Sequence, residues 1–148
     1  MKVSSVLVPV SGESCDEEMV RLACELLESS RSKVHILYVI EVERGLPVDA
    51  EVTPAVAKGE QVLKDMEAVA RNYKCQMDAE LLQARKAGPA VVQEAVDKGV
   101  DAIVVGTTYK HQFGSYSLGE SIPYILKNAP CRVIVSRDPA EPEHTSLG

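Results

Sequence analysis

Short apolar runs alternate along the chain with longer segments whose apolar residues recur at helical spacing. The short runs are rich in β-branched residues, and such runs are typical of strands buried in a sheet. The longer segments place apolar residues three and four positions apart, which predicts amphipathic helices. The pattern predicts five strands, over residues 3–10, 34–42, 76–84, 102–106 and 132–136, with four helices between them.

Local signals mark three helix boundaries. Ser14 and Glu17 have the S-x-x-E spacing of a capping box, which predicts the start of the first helix. Thr53 before Pro54 predicts an N-cap followed by proline in the first helical position of the second helix. The third helix should stop at Gly99, because glycine commonly terminates helices.

The order β-α-β-α-β-α-β-α-β predicts an α/β fold, with a single doubly wound parallel sheet of five strands. Right-handed crossovers then place helices on both faces of the sheet. Ligands of such sheets bind beyond the carboxyl ends of the strands, where the strand order reverses. The loops after the first, second and fourth predicted strands are therefore the candidate ligand site.

The composition is that of an ordinary globular domain, with 45% hydrophobic and 26% charged residues among 148. A net charge of −6 argues against a nucleic acid or an anionic membrane surface as the main partner. No apolar run approaches the roughly 20 residues of a membrane span, and the N-terminus lacks a signal-peptide pattern. We therefore expect a cytoplasmic protein without direct membrane insertion. We expect one domain over residues 1–137 and a disordered polar tail over residues 138–148.

The residues that most often carry chemistry form neither a catalytic nor a metal pattern. Cys15, Cys24, Cys75 and Cys131 include no C-x-x-C pair and no zinc spacing, so we interpret all four as reduced cytosolic thiols. Ser14 has no histidine near it in the sequence, and the chain contains no G-x-S-x-G elbow. We expect no catalytic residue, no metal site and no enzyme, although weak ATP hydrolysis stays open.

Four segments of the chain resemble the universal stress protein family. They are VLVPV at residues 6–10, LYVIEV at 37–42, DAIVVG at 101–106 and LKNAPCRVIV at 126–135. The last two, at this separation, are the most specific, and the likeness runs from about residue 3 to residue 137. The resemblance implies a Rossmann-like sheet, similar to adenine nucleotide alpha hydrolases, with strand order 3-2-1-4-5. It also implies a homodimer through antiparallel pairing of the last strand, which begins at Arg132 and ends at Ser136.

One branch of this family binds ATP through a motif of the form G-x2-G-x9-G-[ST], which this chain matches in part. Gly106 and Gly119 match the first and third glycines, whereas Tyr109 replaces the second. Glu120 replaces the hydroxyl residue, although Ser121 follows it directly. The resemblance therefore implies a degenerate nucleotide-binding motif.

Glu120 has two interpretations. With Ser117 it has the spacing of a second capping box, which would occupy the N–H groups that a phosphate needs at the start of the fourth helix. The alternative is a ligand role, such as an approach to Mg²⁺. Lys110 and His111 of the same loop, with Arg85 and Lys86 after the third strand, could offset the carboxylate or could form a solvated surface.

The predicted ligand is an adenine nucleotide (ATP, ADP or AMP), with or without Mg²⁺, and a site without any ligand is the alternative. Tyr109 could stack on the base or fill the volume that the ligand would use. Ser11 stands where the family usually has an acidic residue that contacts the nucleotide. The predicted binding residues are Pro9, Val10, Ser11, Gly12, Val39, Ile40, Gly106, Thr107, Tyr109, Lys110, Gly119, Glu120, Ser121 and Ile122.

Three functions are compatible with the sequence. The favoured one is a stress-response or regulatory module that binds an adenine nucleotide and acts as a dimer. The second is a nucleotide-free domain for dimerisation or protein interaction. The third is a cytosolic regulatory domain tethered to a membrane transporter, since residues 38–51 and 118–131 look like the stress-protein domains appended to amino-acid and cation permeases.

Overall fold

Strands and helices alternate as the sequence predicts. The computed structural model describes residues 3–29, 31–108 and 121–139. The third strand has the predicted bounds, and the other strands differ from prediction by one or two residues at an end. The elements in chain order are β1 Ser5–Val10, α1 Asp16–Leu26, β2 Lys33–Glu41, α2 Thr53–Asn72, β3 Gln76–Ala84, α3 Ala87–Lys98, β4 Ala102–Thr107, α4 Ser121–Asn128 and β5 Arg132–Arg137.

The five strands form one parallel sheet in the order β3-β2-β1-β4-β5, which confirms the predicted fold class. β1 lies at the centre, where Val6 is paired with Val34 of β2 on one side and with Ala102 of β4 on the other. The chain runs outward from β1 to β3 and then crosses back to β4, so the strand order reverses beside β1. The carboxyl ends of β1 and β4 therefore open the crevice where sheets of this kind bind ligands.

Successive side chains of the central strands face two separate apolar layers. Val6 and Val8 lie in one layer with Met19 of α1, whereas Leu7 lies in the other with Val91 of α3. The three β1 side chains are fully shielded from solvent. Burial on both faces explains why β1 is an apolar run without polar alternation.

The first helix begins differently from the prediction. α1 starts at Asp16, directly after Cys15, and within the described residues no side chain caps it. The predicted capping box of Ser14 and Glu17 is therefore wrong. The helix instead begins with acidic side chains in its first turn, where negative charge interacts favourably with the helix dipole.

The other two predicted boundaries are close to those observed. α2 begins at Thr53 itself with Val52 in the N-cap position, so the predicted cap is wrong by one residue, while Pro54 lies in the first turn as expected. α3 ends before Gly99, as predicted. Gly99 adopts a left-handed φ of 61°, and its N–H donates to the carbonyl oxygen of Ala95, which closes the last turn.

Cys24 and Cys75 form a disulfide bond, so the prediction of four reduced thiols is wrong for this pair. Cys24 lies in α1 and Cys75 directly precedes β3. Their Cα atoms are 6.0 Å apart although the residues are 51 positions apart in sequence. Since the packing of α1 against α2, whose C-terminal end precedes Cys75, brings them together, local spacing could not signal the bond. Cys15 and Cys131 are free thiols.

β5 forms one edge of the described sheet. Beyond it, the N–H of Asp138 donates to the carbonyl oxygen of Thr107 at 3.0 Å, so the first residue of the predicted tail is bonded to the end of β4. Residues 140–148 of that tail lie outside the described residues. Among the described helices, none combines the length and the apolar character that crossing a bilayer requires.

Candidate ligand-binding cavity

A cavity of about 330 Å³ opens at the carboxyl ends of β1, β2 and β4. Its position is the switch point of the sheet, beside the first turns of α3 and α4. Ligand cavities of small-molecule sites begin at about this volume. The predicted residues that line it are Pro9, Val10, Ser11, Val39, Gly106, Thr107, Ser121 and Ile122.

One wall of the cavity is apolar. Leu37 and Val39 of β2 face it, since they lie two positions apart on one face of the strand. Val91 of α3 and Ile125 of α4 complete this wall from above the sheet. Leu37, Val91 and Ile125 are buried in the apolar layer between the sheet and these helices. The wall is therefore an extension of the core, and it can cover the flat face of a heterocyclic base.

The rim of the cavity is polar. Ser11 and Glu13 come from the loop after β1, Thr107 and Thr108 from the end of β4, and Ser121 from the first residue of α4. These groups offer hydroxyl donors and acceptors and one carboxylate acceptor. The rim can therefore bind a polar group joined to an apolar base.

Asp16 fixes the loop that carries Ser11 and Glu13. Its carboxylate accepts a hydrogen bond from the N–H of Gly12 at 2.8 Å and one from the N–H of Ser11 at 3.3 Å. Burial raises the pKa of Asp16, and the bond from Gly12 opposes that rise. The two N–H groups are therefore engaged by the protein itself, and the loop is shaped before any ligand arrives.

Gly106, the first glycine of the partial motif, lies where β4 approaches α1. A Cβ atom at this position would stand 2.7 Å from Cγ of Met19 and 3.0 Å from Sγ of Cys15. Burial above all raises the pKa of the Cys15 thiol to about 11, so it remains a protonated packing group at neutral pH. Packing alone therefore requires a glycine at residue 106.

Arg85 does not lie at the cavity as a free cation. Its guanidinium donates to the carbonyl oxygens of Glu43 at 2.6 Å and Leu46 at 2.7 Å, in the loop after β2. These bonds hold the loop after β2, and Glu120, whose charge Arg85 could offset, lies outside the described residues. Close by, Glu41 accepts a hydrogen bond from the N–H of Ala87 at 2.7 Å, at the start of α3.

Several predicted residues lie elsewhere. The side chain of Ile40 points to the opposite face of the sheet and joins the layer beneath α1 and α2, as strand alternation requires after Val39. Gly12 is in the loop after β1 but lies against Lys58 of α2. The remaining predicted residues, which are Tyr109, Lys110, Gly119 and Glu120, lie outside the described residues, as do His111 and Ser117.

Sequence reasoning missed part of the lining. Leu37 and Val105 could have been found from strand parity, since Leu37 lies two positions from Val39 and Val105 lies two positions from Thr107. Glu13 lies in a loop that was already singled out. Ala87 and Val91 carried no local signal, because the crossover of α3 above the sheet brings them to the site. The missed lining residues are Glu13, Leu37, Ala87, Val91, Val105, Thr108 and Ile125.

The strand order and the cavity at the switch point define a Rossmann-like, doubly wound α/β domain. The sequence profile described as the universal stress protein family matches residues 2–137, and the chain belongs to this family. The resemblance noted in the sequence is thereby confirmed.

Individual relatives agree with this assignment. Universal stress protein MJ0531 of Methanocaldococcus jannaschii is 28% identical over 140 residues, which cover 90% of this chain and 82% of the relative. A universal stress protein from Archaeoglobus fulgidus, solved in complex with dAMP, superimposes with a TM-score of 0.69 at 20% identity, covering 91% of this chain and 98% of that one. A family protein from Arabidopsis thaliana with AMP bound has a TM-score of 0.67 at 19% identity, covering 97% and 98%.

Proposed function

We propose that this chain is a regulatory module that binds an adenine nucleotide at the ends of β1, β2 and β4. The observation that carries the proposal is the cavity of about 330 Å³, which joins an apolar wall to a polar rim. A nucleoside likewise has an apolar and a polar part, since its base has apolar faces and its sugar has hydroxyl groups. The structures of family proteins that hold dAMP and AMP support the choice of ligand.

The base is assigned to the apolar wall. Leu37, Val39 and Val91 would cover its faces, because these side chains line the cavity and belong to or pack against the apolar layer between the sheet and α3. Main-chain groups at the ends of β1 and β2, in Val10 and Ile40, would hydrogen-bond its edge. These main-chain hydrogen bonds can form with many different side chains at the same positions. The base is therefore selected by the shape of the cavity and by the main-chain groups at its edge.

The ribose is assigned to the loop after β1. Glu13 contributes a carboxylate to the rim, and a carboxylate accepts hydrogen bonds from adjacent sugar hydroxyls, as in dinucleotide sites. Ser11 offers a second hydroxyl partner. Because Asp16 fixes this loop through Ser11 and Gly12, the ribose would meet a preformed surface.

The phosphate is assigned to the start of α4, near Ser121 and Ile122, opposite Gly106 and Thr107 at the end of β4. Unpaired N–H groups at a helix N-terminus favour an anion. Among the described lining residues the charged side chain is Glu13, which is acidic. A monophosphate or diphosphate therefore suits the site better than ATP with Mg²⁺. By sequence, Tyr109, Lys110, Gly119 and Glu120 belong to the same site.

Calorimetric titration with adenosine, AMP, ADP and ATP tests this proposal, with GMP as the control for base selection. We expect micromolar or weaker binding of the adenine compounds and little response to GMP. Glu13→Ala should weaken AMP binding about tenfold, the value of one charge-assisted hydrogen bond, whereas Glu17→Ala on the exposed side of α1 should not change it. A flat response to every adenine compound at millimolar concentration would leave a nucleotide-free interaction domain.

Glu120→Ser separates two accounts of weak ATP binding. If the carboxylate repels the triphosphate, the substitution restores the hydroxyl residue of the family motif and should strengthen ATP binding relative to AMP. Unchanged affinities for both nucleotides would assign the weak ATP binding to another part of the loop.

We also propose that two copies pair through β5. Arg132–Arg137 forms an edge of the described sheet, and its central side chains are half-buried although the strand has one strand neighbour in the described part. Light scattering should give a dimer, and Ile134→Arg should yield a monomer. Leu46→Arg, at an exposed residue far from β5 in the sheet order, is the control and should remain dimeric. A wild-type monomer at micromolar concentration contradicts this proposal.

The family match to residues 2–137 and the bond from Asp138 to Thr107 support a folding unit that ends near this point. We propose that residues 140–148 are dispensable for it. A chain that ends at Pro139 should have the same melting temperature and AMP affinity as the full chain. A lower melting temperature or a weaker AMP affinity would show that residues 140–148 contribute to folding or binding.

A further inference from the structure

Glu41, the last residue of β2, closes the start of helix α3. Its carboxylate accepts a hydrogen bond from the main-chain N–H of Ala87 at 2.7 Å, and Ala87 is the first residue of α3. The first N–H groups of a helix attract anions, because they have no partner within the helix and the helix dipole adds to their positive charge. Since Ala87 lines the cavity, a carboxylate of the protein itself occupies a helix start at the ligand site.

The loop after β1 is closed in the same way. The carboxylate of Asp16 accepts hydrogen bonds from the N–H of Gly12 at 2.8 Å and from the N–H of Ser11 at 3.3 Å. At two places around the cavity, the main-chain donors that a phosphate could use are therefore bonded to carboxylates.

Both helices that begin at the cavity have proline as their third residue. Pro89 is the third residue of α3, which begins at Ala87, and Pro123 is the third residue of α4, which begins at Ser121. Proline has no N–H group, so each helix start lacks one of the four donors that it would otherwise direct outward. A long phosphate chain would therefore meet fewer main-chain donors here than at an ordinary helix start.

The charged side chains near the cavity do not replace these donors. Among the described lining residues the charged side chain is that of Glu13. Arg85 and Lys86, which precede α3, are exposed and are not among those lining residues, and Arg85 donates to carbonyl oxygens of the loop after β2. By sequence, residues 109–120 add one lysine, one glutamate and one histidine. The site therefore has no excess of positive charge to hold a polyphosphate.

Glu41 is near enough to act on a bound phosphate. The proposed phosphate position is at the end of β4, and β1 separates β4 from β2 in the sheet. Neighbouring strands are about 4.8 Å apart, so the ends of β2 and β4 are about 10 Å apart. That separation is close to the screening length of about 10 Å at about 0.1 M salt. Without screening, one carboxylate at that distance in water weakens binding about twofold for each unit of negative ligand charge.

We propose that Glu41 is a specificity-determining residue, which limits the ligand to adenine compounds with no more than one phosphate group. This inference rests on the proposed function and narrows its class of ligand. The phosphate of AMP would lie at the start of α4, whereas each further phosphate would gain no described cation and would be repelled by Glu41 and Glu13. Adenosine and AMP should therefore bind with similar affinity, and ADP and ATP progressively more weakly.

Calorimetric titration of the full chain with adenosine, AMP, ADP and ATP, without Mg²⁺, tests this order. At about 20 mM salt each phosphate beyond the first should weaken binding several-fold. At about 200 mM salt the differences should shrink, because salt screens the repulsion. An affinity that rises from adenosine to ATP overturns the proposal and leaves the proposed function in place, whereas no binding of any of the four compounds overturns the proposed function.

Glu41→Gln separates the charge of Glu41 from its packing. The amide keeps an oxygen that can accept the hydrogen bond from Ala87, but the negative charge is lost. At low salt the ratio of ATP affinity to adenosine affinity should therefore rise about tenfold. A merely structural role would change the affinity for all four ligands equally, and an unchanged ratio overturns the proposal.

Glu60→Gln is the matched control. It removes the same charge from an exposed position of α2, which packs on the other face of the sheet, and it should keep the wild-type ratio. An equal rise of the ratio in Glu60→Gln would assign the effect to the net charge of the protein and would overturn the role of Glu41.

Glu41→Ala tests the hydrogen bond to Ala87 without any ligand. Loss of a cap at a helix start should raise the unfolding constant roughly fivefold, whereas Glu41→Gln should lie nearer to the wild type. The alanine variant also uncovers the N–H of Ala87, so its ratio of ATP affinity to adenosine affinity should exceed that of the wild type. Equal unfolding constants for the wild type and Glu41→Ala overturn the closure of α3 by Glu41, whether or not a nucleotide binds.

Discussion

The carboxylate of Asp16 accepts a hydrogen bond from the main-chain N–H of Gly12 at 2.8 Å, and this bond shapes the loop between β1 and α1. Asp16 is 5% exposed, so water scarcely reaches its carboxylate. Main-chain N–H groups replace the hydrogen bonds that water would otherwise donate to it. The same loop contributes Ser11 and Glu13 to the cavity rim. One buried residue that does not line the cavity therefore positions two residues that do.

Replacing Asp16 by alanine should lower the free energy of unfolding by about 1–2 kcal/mol, because the bonds from Gly12 and Ser11 are lost. The N–H groups can then reach water, which limits the loss. Chemical denaturation measures it. Glu17→Ala removes a neighbouring carboxylate of the same helical turn without those bonds, and it should change stability by no more than about 0.5 kcal/mol. If both substitutions lower the free energy of unfolding equally, the loss comes from the interaction of a carboxylate with the helix dipole and not from the bonds to Gly12 and Ser11.

Gly106→Ala should lower the free energy of unfolding by about 1–3 kcal/mol, since its Cβ would stand 2.7 Å from Cγ of Met19 and the core must shift to admit it. Met19 is buried, so it cannot move into solvent. Gly45→Ala is the matched control because a Cβ there meets no atom within 4 Å. A Gly106→Ala protein as stable as the control would show that the motif glycine is not a packing requirement.

Arg85→Ala should free the loop after β2 without weakening AMP binding. The guanidinium holds the carbonyl oxygens of Glu43 and Leu46, which flank the exposed trypsin site at Arg44. Limited trypsin digestion should therefore cleave after Arg44 several-fold faster in the variant, whereas Lys64→Ala on the exposed face of α2 should leave that rate unchanged. A large loss of AMP affinity in Arg85→Ala would instead make the arginine a phosphate ligand.

Much of the fold follows from the sequence because it depends on near neighbours in the chain. The five strands are short apolar runs, and the glycine at residue 99 closes α3 wherever that helix lies. The strand order followed from the family resemblance, since hydrophobic pattern alone fixes alternation and not the order of strands. The loops at the switch point were predicted from the alternation of strands and helices. The loops after β1 and β4 do line a cavity, whereas β2 contributes Leu37 and Val39 of the strand itself and not its following loop.

One miss was a choice between two local arrangements, and the others depend on contacts between distant segments. Ser14 and Glu17 have the spacing of a capping box, yet the loop before α1 is organised by Asp16 instead. The role of Arg85 stayed open between a cation near the ligand and a solvated side chain, because its carbonyl partners lie about 40 positions earlier in the chain. Ala87 and Val91 enter the cavity only because α3 crosses above the sheet. For Arg85, Ala87 and Val91 a contact between distant segments, invisible to local spacing, decided the role of the residue.

The disulfide between Cys24 and Cys75 should stabilise the fold by restricting the unfolded chain. A link between residues 51 positions apart corresponds to a loop-closure contribution of about 4 kcal/mol. Denaturation with and without a thiol reductant should therefore differ by up to that amount, and Cys75→Ser should behave as the reduced protein under both conditions. Cys131→Ser, which alters a free thiol, should keep the full response to reductant. If the wild type unfolds at the same denaturant concentration in both states, and alkylation finds four thiols before reduction, then the pair is not bonded in the folded protein.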